Sequence, residues 1–381
     1  MTHSRGKIGF MIAVLFSAML VGGARAAETV EQFGADLAQA LQTGDPDRIT
    51  SAMDKDELIG RALAGTQGSE AFVSGMRQGL ERGLSRVGVI MTNNLGPTVR
   101  SKFLRARTVD GVTRVLLRLD LGDRGLNYLD FFVHQRSDGS WAVFDWIDFV
   151  QGQTFSESPK MVIAMMVRED PGMLGRLLGL TEIDTELADQ IAELGTLGQK
   201  GDWTGWLRVY HTLPEQVRAS RVLLTTRVAA ASTIGNSVDY MDAMADLHKH
   251  HGDDPTLNLA LLDYYLLTAE YARAYAAVDR LDEYTGGDAA LTSLRAGIAL
   301  IEGRNAESIR YARQAIDDDA DFEDPYWHLM VAGARASDYA AAMQGVRGLE
   351  TRFGYEFSED ELKKSEDFPG LLASDAWRSD K

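Results

Sequence analysis

Three residues in the C-terminal half of the chain recur at one fixed interval: Tyr271, Asn305 and Tyr339 are 34 positions apart. Each opens a segment whose apolar residues recur at helical spacing. A small residue follows three positions after each of them: Ala274, Ser308 and Ala342. A unit of this length holds one pair of helices, and such a pair buries its apolar face only by stacking on its neighbours. The spacing therefore predicts a stacked array of helix pairs.

The residues between the paired helices indicate a family. Segments 303–308 and 337–342 resemble the inter-helix turn of the tetratricopeptide repeat, whose period is also 34 residues. Trp203 and Tyr240 mark two weaker copies upstream, at intervals of 37 and 31 residues. We therefore predict tetratricopeptide-like repeats over residues 185–352, with residues 353–381 as a capping helix or tail. The resemblance implies a superhelix whose concave wall holds a partner.

The first helices of the repeats would supply that concave wall. The predicted wall is apolar and mildly acidic, and it lacks the basic residues with which related arrays clamp a carboxylate. We therefore expect the partner to be an apolar segment with basic flanks, anchored on Trp327, although a tryptophan there is equally compatible with a core position. The predicted binding residues are Leu259, Asp263, Leu266, Asp324, Trp327 and Val331.

The N-terminal half follows a different pattern. Helical segments are predicted at residues 31–43, 46–63 and 69–93, and four segments of alternating pattern follow at 99–109, 112–121, 126–135 and 141–150. Turn sequences such as Asp110-Gly111 and Asp138-Gly139 separate the strands. We predict an α+β domain over residues 27–158, with a four-stranded antiparallel meander. Its layout loosely resembles the cystatin-like and nuclear-transport-factor-2-like class.

Members of that class enclose a cavity on the curved sheet, and three polar residues are candidates for lining one here. Tyr128, Asp130 and Asp145 lie on neighbouring predicted strands among aromatic residues. A desolvated aspartate beside a phenol can act as a general base. Aspartates near hairpin ends are also ordinary turn or strand-edge residues. The sheet is therefore an alternative site, for an enzyme or a small-ligand binder.

The two remaining segments concern targeting and connection. Residues 1–26 combine basic residues, a short apolar run and the small-x-small sequence Ala24-Arg25-Ala26, which is the layout of a cleaved signal peptide. Without a cysteine, no lipid anchor is expected at the cleavage site. We therefore predict a periplasmic or secreted protein with no stable membrane span after cleavage. Residues 159–184 are expected to form a linker helix region.

Charge and motif content narrow the function. A formal net charge of −17 disfavours nucleic-acid binding, and zero cysteines exclude thiol chemistry. His248, His250 and His251 suggest a metal site only weakly, because they lie at a predicted helix end. No catalytic, phosphate-binding or metal motif stands out, so we predict no cofactor and no metal. The sequence favours an adaptor or scaffold for another exported or membrane-bound protein, and a self-assembling envelope factor is a further alternative.

Overall fold

The computed structural model describes residues 28–66, 69–122, 125–157 and 184–379. The predicted signal segment and nearly all of the predicted linker lie outside these residues. The N-terminal part contains five helices and an antiparallel sheet, and the C-terminal part is helical. This order confirms the predicted succession of an α+β part and a helical part.

Of the five helices described in the N-terminal part, all but the last begin at a side chain that caps them. Thr29, Asp45, Asp54 and Ser69 each accept a hydrogen bond from a backbone N–H of the first turn. These helices are α1 (Val30–Thr43), α2 (Pro46–Ser51), α3 (Lys55–Leu63), α4 (Glu70–Leu84) and α5 (Val87–Leu95).

Two of the helices predicted in this part are interrupted. The segment predicted at 46–63 divides into α2 and α3 because its middle bonds to the sheet: Val143 donates to the Ala52 carbonyl, and Asp54 donates to the Val143 carbonyl. The segment predicted at 69–93 divides at Ser85 and Arg86. The apolar stripe of that segment still packs toward one core, through Phe72, Met76 and Leu80.

The sheet is a meander in which every strand pairs with the next one in the chain. Its strands are β1 (Arg100–Val109), β2 (Val112–Asp120), β3 (Leu126–Gln135), β4 (Trp141–Asp148) and β5 (Gln153–Thr154). The four predicted strands are confirmed, and the two-residue β5 is an addition that the sequence pattern did not indicate. Asp110 and Gly111 both have positive φ, as the tight β1–β2 turn requires.

From residue 184 onward, most of the described helices form five antiparallel pairs. They are α6 (Thr185–Lys200) with α7 (Trp203–Thr212), α9 (Arg221–Thr233) with α10 (Ser237–His251), α11 (Asn258–Leu267) with α12 (Tyr271–Thr285), α13 (Ala289–Ile301) with α14 (Asn305–Asp318), and α15 (Asp324–Arg335) with α16 (Tyr339–Phe353). The short α8 (Glu215–Arg218) precedes the second pair. Three terminal helices, α17 (Glu359–Leu362), α18 (Pro369–Ala373) and α19 (Asp375–Arg378), place Leu371 and Trp377 against the last pair.

In each pair, the second helix begins two residues after a turn residue with left-handed backbone conformation. Gly201, Gly235, Ala269, Gly303 and Ser337 all have positive φ, and each is 34 residues from the next. The second pair therefore obeys the same period as the others: α10 begins at Ser237, and the alignment on Tyr240 was wrong by three residues. The unequal intervals of the sequence pattern came from that misalignment, because one helical turn separates the two positions.

The sheet lies between two layers. One face packs on α1–α5, through residues such as Val115, Leu117 and Phe131. The other face packs on the helical pairs, where Leu116, Tyr128 and Phe149 join Leu257 and Leu261 in one core. Both faces of the sheet are therefore covered within the chain itself.

Candidate binding site at the sheet and the helical pairs

An irregularity in β1 directs its basic side chains toward the helical pairs. The register of β1 on β2 shifts between Phe103 and Arg105, which makes Leu104 an extra residue. Phe103 packs toward α1, whereas Leu104 packs on the side of the helical pairs. Such a bulge re-aims the side chains that follow it. Lys102 and Arg105 consequently both reach the helical part, although three positions separate them.

The sheet contacts the loops that join one helix pair to the next. In the loop after α10, Thr256 donates to the Gly152 carbonyl at 2.9 Å. In the loop after α12, the carbonyls of Gly286 and Gly287 each accept from Arg105 at 2.6 Å. In the loop after α14, Glu323 accepts from Arg100 at 2.8 Å. We call this set of contacts the sheet–loop interface.

A buried charge cluster lies at the centre of the sheet–loop interface. Arg118 donates to Asp288 and to Asp319, both at 2.7 Å. Asp288 also accepts from the Tyr128 hydroxyl at 2.7 Å, and Asp319 pairs with Lys102 at 2.8 Å. The Arg118, Asp288 and Asp319 side chains are at most 8% exposed. Because the carboxylates and the guanidinium are hydrogen-bonded to each other, their burial is compensated.

The pKa values of the cluster indicate a structural hydrogen bond at Tyr128. Burial, reinforced by the negative charge of Asp288, raises the pKa of Tyr128 well above its usual value. Burial alone would raise the pKa of Asp319, but the hydrogen bonds from Lys102 and Arg118 outweigh it and lower that pKa. Tyr128 therefore stays a protonated donor, and Asp319 stays an ionised acceptor.

Asp130 forms a second buried cluster with different partners. It accepts from the Tyr284 hydroxyl at 2.7 Å, from Arg107 at 3.2 Å and from Arg114 at 3.3 Å. Burial, followed by the charge of Asp130, raises the pKa of Tyr284. All four side chains serve to join β1, β2 and β3 to the last turn of α12.

Asp145, the third candidate from the sequence, lies apart from both clusters. Its carboxylate accepts from the Ser156 hydroxyl at 2.6 Å and from the backbone N–H of Trp146 at 3.0 Å. Burial raises the pKa of Asp145 in spite of these hydrogen bonds. Tyr128, Asp130 and Asp145 are 0–1% exposed. The structure thus places the proposed cavity residues in packed, hydrogen-bonded positions rather than around an open cavity.

An open cleft does exist beside the sheet–loop interface. It has a volume of about 370 Å³ and lies between β1 and helices α12, α13 and α14. Lys102 and Leu104 line its sheet side, and its helical side carries Thr292, Arg295 and Gln314 together with four aspartates: Asp282, Asp288, Asp318 and Asp319. No sequence pattern indicated this cleft, because its walls come from segments as far apart in the chain as Lys102 and Asp319.

The predicted wall residues of α11 are only partly open. Asp263 is exposed, while Leu259 and Leu266 are half-buried against the core shared with the sheet. Displacement of water by nearby protein raises the pKa of Asp263. Burial, followed by the negative charge of Asp263, raises the pKa of Tyr240. Asp263 and Tyr240 therefore lie near each other on α11 and α10.

Two of the three predicted wall residues of α15, Trp327 and Val331, pack against other parts of the chain. Trp327 donates its indole N–H to Glu323 at 3.1 Å and packs edge-on against Tyr355 and Phe357, with ring centroids 5.0 and 5.6 Å away. Val331 is half-buried in the terminal core. Asp324 is exposed, but displacement of water by nearby protein and repulsion from Asp120 and Glu323 raise its pKa to about 6. On both α11 and α15, the wall aspartate is exposed and the two other wall residues are half-buried.

The histidines near the end of α10 point to different neighbours. Nδ1 of His248 lies 2.9 Å from the Tyr265 hydroxyl, whereas Nε2 of His251 lies 2.8 Å from the Ala219 carbonyl. Across the ranges that the structure describes, no group of three or more acidic or histidine residues is arranged to hold a metal ion.

Within the same ranges, no helix is long and apolar enough to cross a membrane.

Comparisons with known proteins add no relative. No family model matches the chain, and neither a curated protein nor a solved structure matches it.

Proposed function

We propose that this chain is an exported adaptor whose tetratricopeptide-like helix pairs hold another exported or membrane-bound protein. The observation that carries the proposal is the constant 34-residue spacing of five left-handed turn residues, from Gly201 to Ser337. That period, with one helix pair per unit, is the one that tetratricopeptide arrays use. Arrays of this kind present extended surfaces that bind protein segments.

The buried sheet favours binding over catalysis. The enzyme alternative depended on Tyr128, Asp130 and Asp145, and each of these side chains is used to join parts of the chain. A catalytic base has to reach the proton that it abstracts. A carboxylate that is 0–1% exposed and already hydrogen-bonded does not offer that access.

The part of the predicted wall that we assign to the partner is the surface of α11 around Asp263. Half-buried Leu259 and Leu266 supply apolar contact, and Asp263 supplies an exposed negative charge. An apolar segment flanked by lysine or arginine is complementary to this combination. Trp327 is assigned a role in the terminal core instead, because its ring already contacts Tyr355 and Phe357.

The test is a crosslinking pull-down from envelope extract with the intact protein, Asp263→Arg and a control. Asp242→Arg is the matched control, since Asp242 is an exposed aspartate on the neighbouring helix α10. We expect the same partner to be recovered with the intact protein and with Asp242→Arg, and to be lost with Asp263→Arg. Equal recovery with all three proteins would remove α11 as the binding surface.

One measurement tests export, and another separates an adaptor from a self-assembling envelope factor. The mass of the protein from a periplasmic fraction should correspond to a chain that begins at residue 27 or 28, as signal cleavage requires. Light scattering should give a monomer in isolation, because an adaptor for another protein does not depend on self-association. A stable oligomer that persists on dilution would favour the self-assembling envelope factor.

A further inference from the structure

The side chain of His248 joins the second helix pair to the third. His248 lies near the end of α10, and its two ring nitrogens contact one residue on each helix of the next pair. Nδ1 lies 2.9 Å from the hydroxyl of Tyr265 on α11, and Nε2 lies 2.9 Å from Nη1 of Arg273 on α12. The rings of Tyr264 and Tyr265 pack against the imidazole, with centroids 6.0 and 5.3 Å away. Both nitrogens are therefore used in contacts between the two pairs.

The residue at Nε2 determines which nitrogen of His248 carries the hydrogen. An arginine side chain has only N–H donors, so Nε2 has to accept the hydrogen bond from Arg273. In a neutral imidazole, the other nitrogen then carries the hydrogen. Nδ1 therefore donates to the oxygen of Tyr265, and the hydrogen bond from Arg273 requires a neutral imidazole.

The surroundings of His248 oppose its protonation. Burial of the ring, followed by the positive charge of Arg273, lowers the pKa of His248 below its ordinary value of 6.5. Glu270 and Asp253 act in the opposite direction, whereas Arg280 of α12 adds to the lowering. The effect of Glu270 is limited, because its carboxylate pairs with Arg273 at 2.7 Å.

We propose that His248 is a pH-sensitive contact between the second and third helix pairs, closed when its imidazole is neutral and opened when it is protonated. A protonated imidazole carries an N–H group at both nitrogens and offers no acceptor to Arg273. The imidazolium and the guanidinium then repel each other, because both are positively charged. The contact lies within the chain, so this inference goes beyond the proposed function and does not require the partner.

Acidification should loosen the junction without separating the two pairs. An open His248 with the ordinary pKa of 6.5 binds more protons than the closed one, so the closed contact loses stability as the pH falls below that value. Leu247 of α10 and Leu261 of α11 still share one apolar core. The change should therefore be confined to α11 and the first turn of α12.

The first test is an NMR titration of the intact protein with isotope-labelled histidine. We expect His248 to be the Nδ1–H tautomer at pH 7 and to have a pKa below 6.5. Arg273→Met should raise this pKa, because it removes a positive charge beside the ring.

The second test is hydrogen exchange of the amides in α11 and the first turn of α12. Protection factors remove the intrinsic effect of pH on exchange, and those of the intact protein should fall by about threefold or more between pH 7 and pH 5. In His248→Gln, which cannot titrate, they should change by less than about twofold. His250→Gln is the matched control, because His250 is exposed on the same helix, and it should behave like the intact protein.

Three results would overturn the inference. They are an Nε2–H tautomer at pH 7, a His248 pKa of 6.5 or above, and an equal fall of α11 protection in His248→Gln and in the intact protein. The first two are measured on the intact protein and do not require a variant to fold. All three leave out the partner, so the pull-down with Asp263→Arg remains an independent test of the proposed function.

Discussion

Replacing Arg118 by methionine tests the sheet–loop interface directly. The substitution keeps much of the side-chain volume but leaves Asp288 and Asp319 buried without their shared cation. Removing one member of a buried ion pair costs about 3–5 kcal/mol. Tyr128 still donates to Asp288 and Lys102 still pairs with Asp319, so the lower end applies. We therefore expect a loss of about 3 kcal/mol in the free energy of unfolding.

The assay combines urea unfolding with hydrogen exchange in the loops that follow α12 and α14. Arg118→Met should lower the unfolding free energy and accelerate exchange in both loops. Arg77→Met is the control, because Arg77 is exposed on α4 and far from the interface in the sequence. A loss below about 1 kcal/mol with unchanged loop exchange would refute the argument, since that value is typical of an exposed ion pair.

Three smaller predictions concern the helix pairs. Burial lowers the pKa of His328 from 6.5 to about 4. The unfolded chain therefore binds more protons than the folded chain between these pH values, and the free energy of unfolding should fall by about 1.4 kcal/mol per pH unit as the pH decreases through this window. His328→Gln should flatten this slope in urea titrations at pH 7 and pH 5. In thermal unfolding, Gly303→Ala should destabilise the protein by about 1–2 kcal/mol, because the added Cβ has free space but the positive φ is unfavourable for alanine. Ala269→Gly should be neutral or stabilising by up to about 1 kcal/mol, because glycine adopts the positive φ found there without that strain. Gly345→Ala should cost about 1–3 kcal/mol in the same measurement, because a Cβ there would lie 2.6 Å from the backbone nitrogen of Met330.

Local patterns in the sequence carried most of the element assignments. The four strands follow from alternating apolar residues and from turns such as Asp110-Gly111, where both residues adopt positive φ. Tyr271, Asn305 and Tyr339 begin α12, α14 and α16, as the 34-residue spacing indicated. In both cases, the residues that form the sequence pattern are the same residues that form the helix or strand, or are a few positions away.

The alignment at Tyr240 shows where such patterns mislead. The aromatic Tyr240 does not mark the start of α10, because the feature that repeats in the geometry is the left-handed residue two positions before the helix, Gly235. Ala269 and Ser337 adopt the same left-handed conformation without being glycine. The sequence therefore marks only three of the five turns with the residue that positive φ favours. Backbone conformation, rather than side-chain type, keeps the period constant.

The buried charge clusters could not be predicted from the sequence, because their members are far apart in the chain and meet only when the sheet packs on the helix pairs. Tyr128 and Asp288 are 160 residues apart, and Arg118 and Asp319 are 201 apart. The alternation of β3 places Tyr128 and Asp130 on one face, but it does not say that another part of the chain covers that face. Polar residues at strand positions therefore indicated a site, whereas the structure uses them to join two parts of one chain.

The sheet–loop interface changes how the helix pairs behave as an array. In an isolated solenoid each pair contacts only its neighbours, so segments open independently. Here the sheet bonds to the loops after α10, α12 and α14, which belong to three successive pairs. A change in curvature between any two of these pairs would have to break contacts to the sheet. Under the proposed adaptor function, a partner that binds such a restrained surface would lose less free energy in ordering it, and the sheet would contribute to binding without touching the partner.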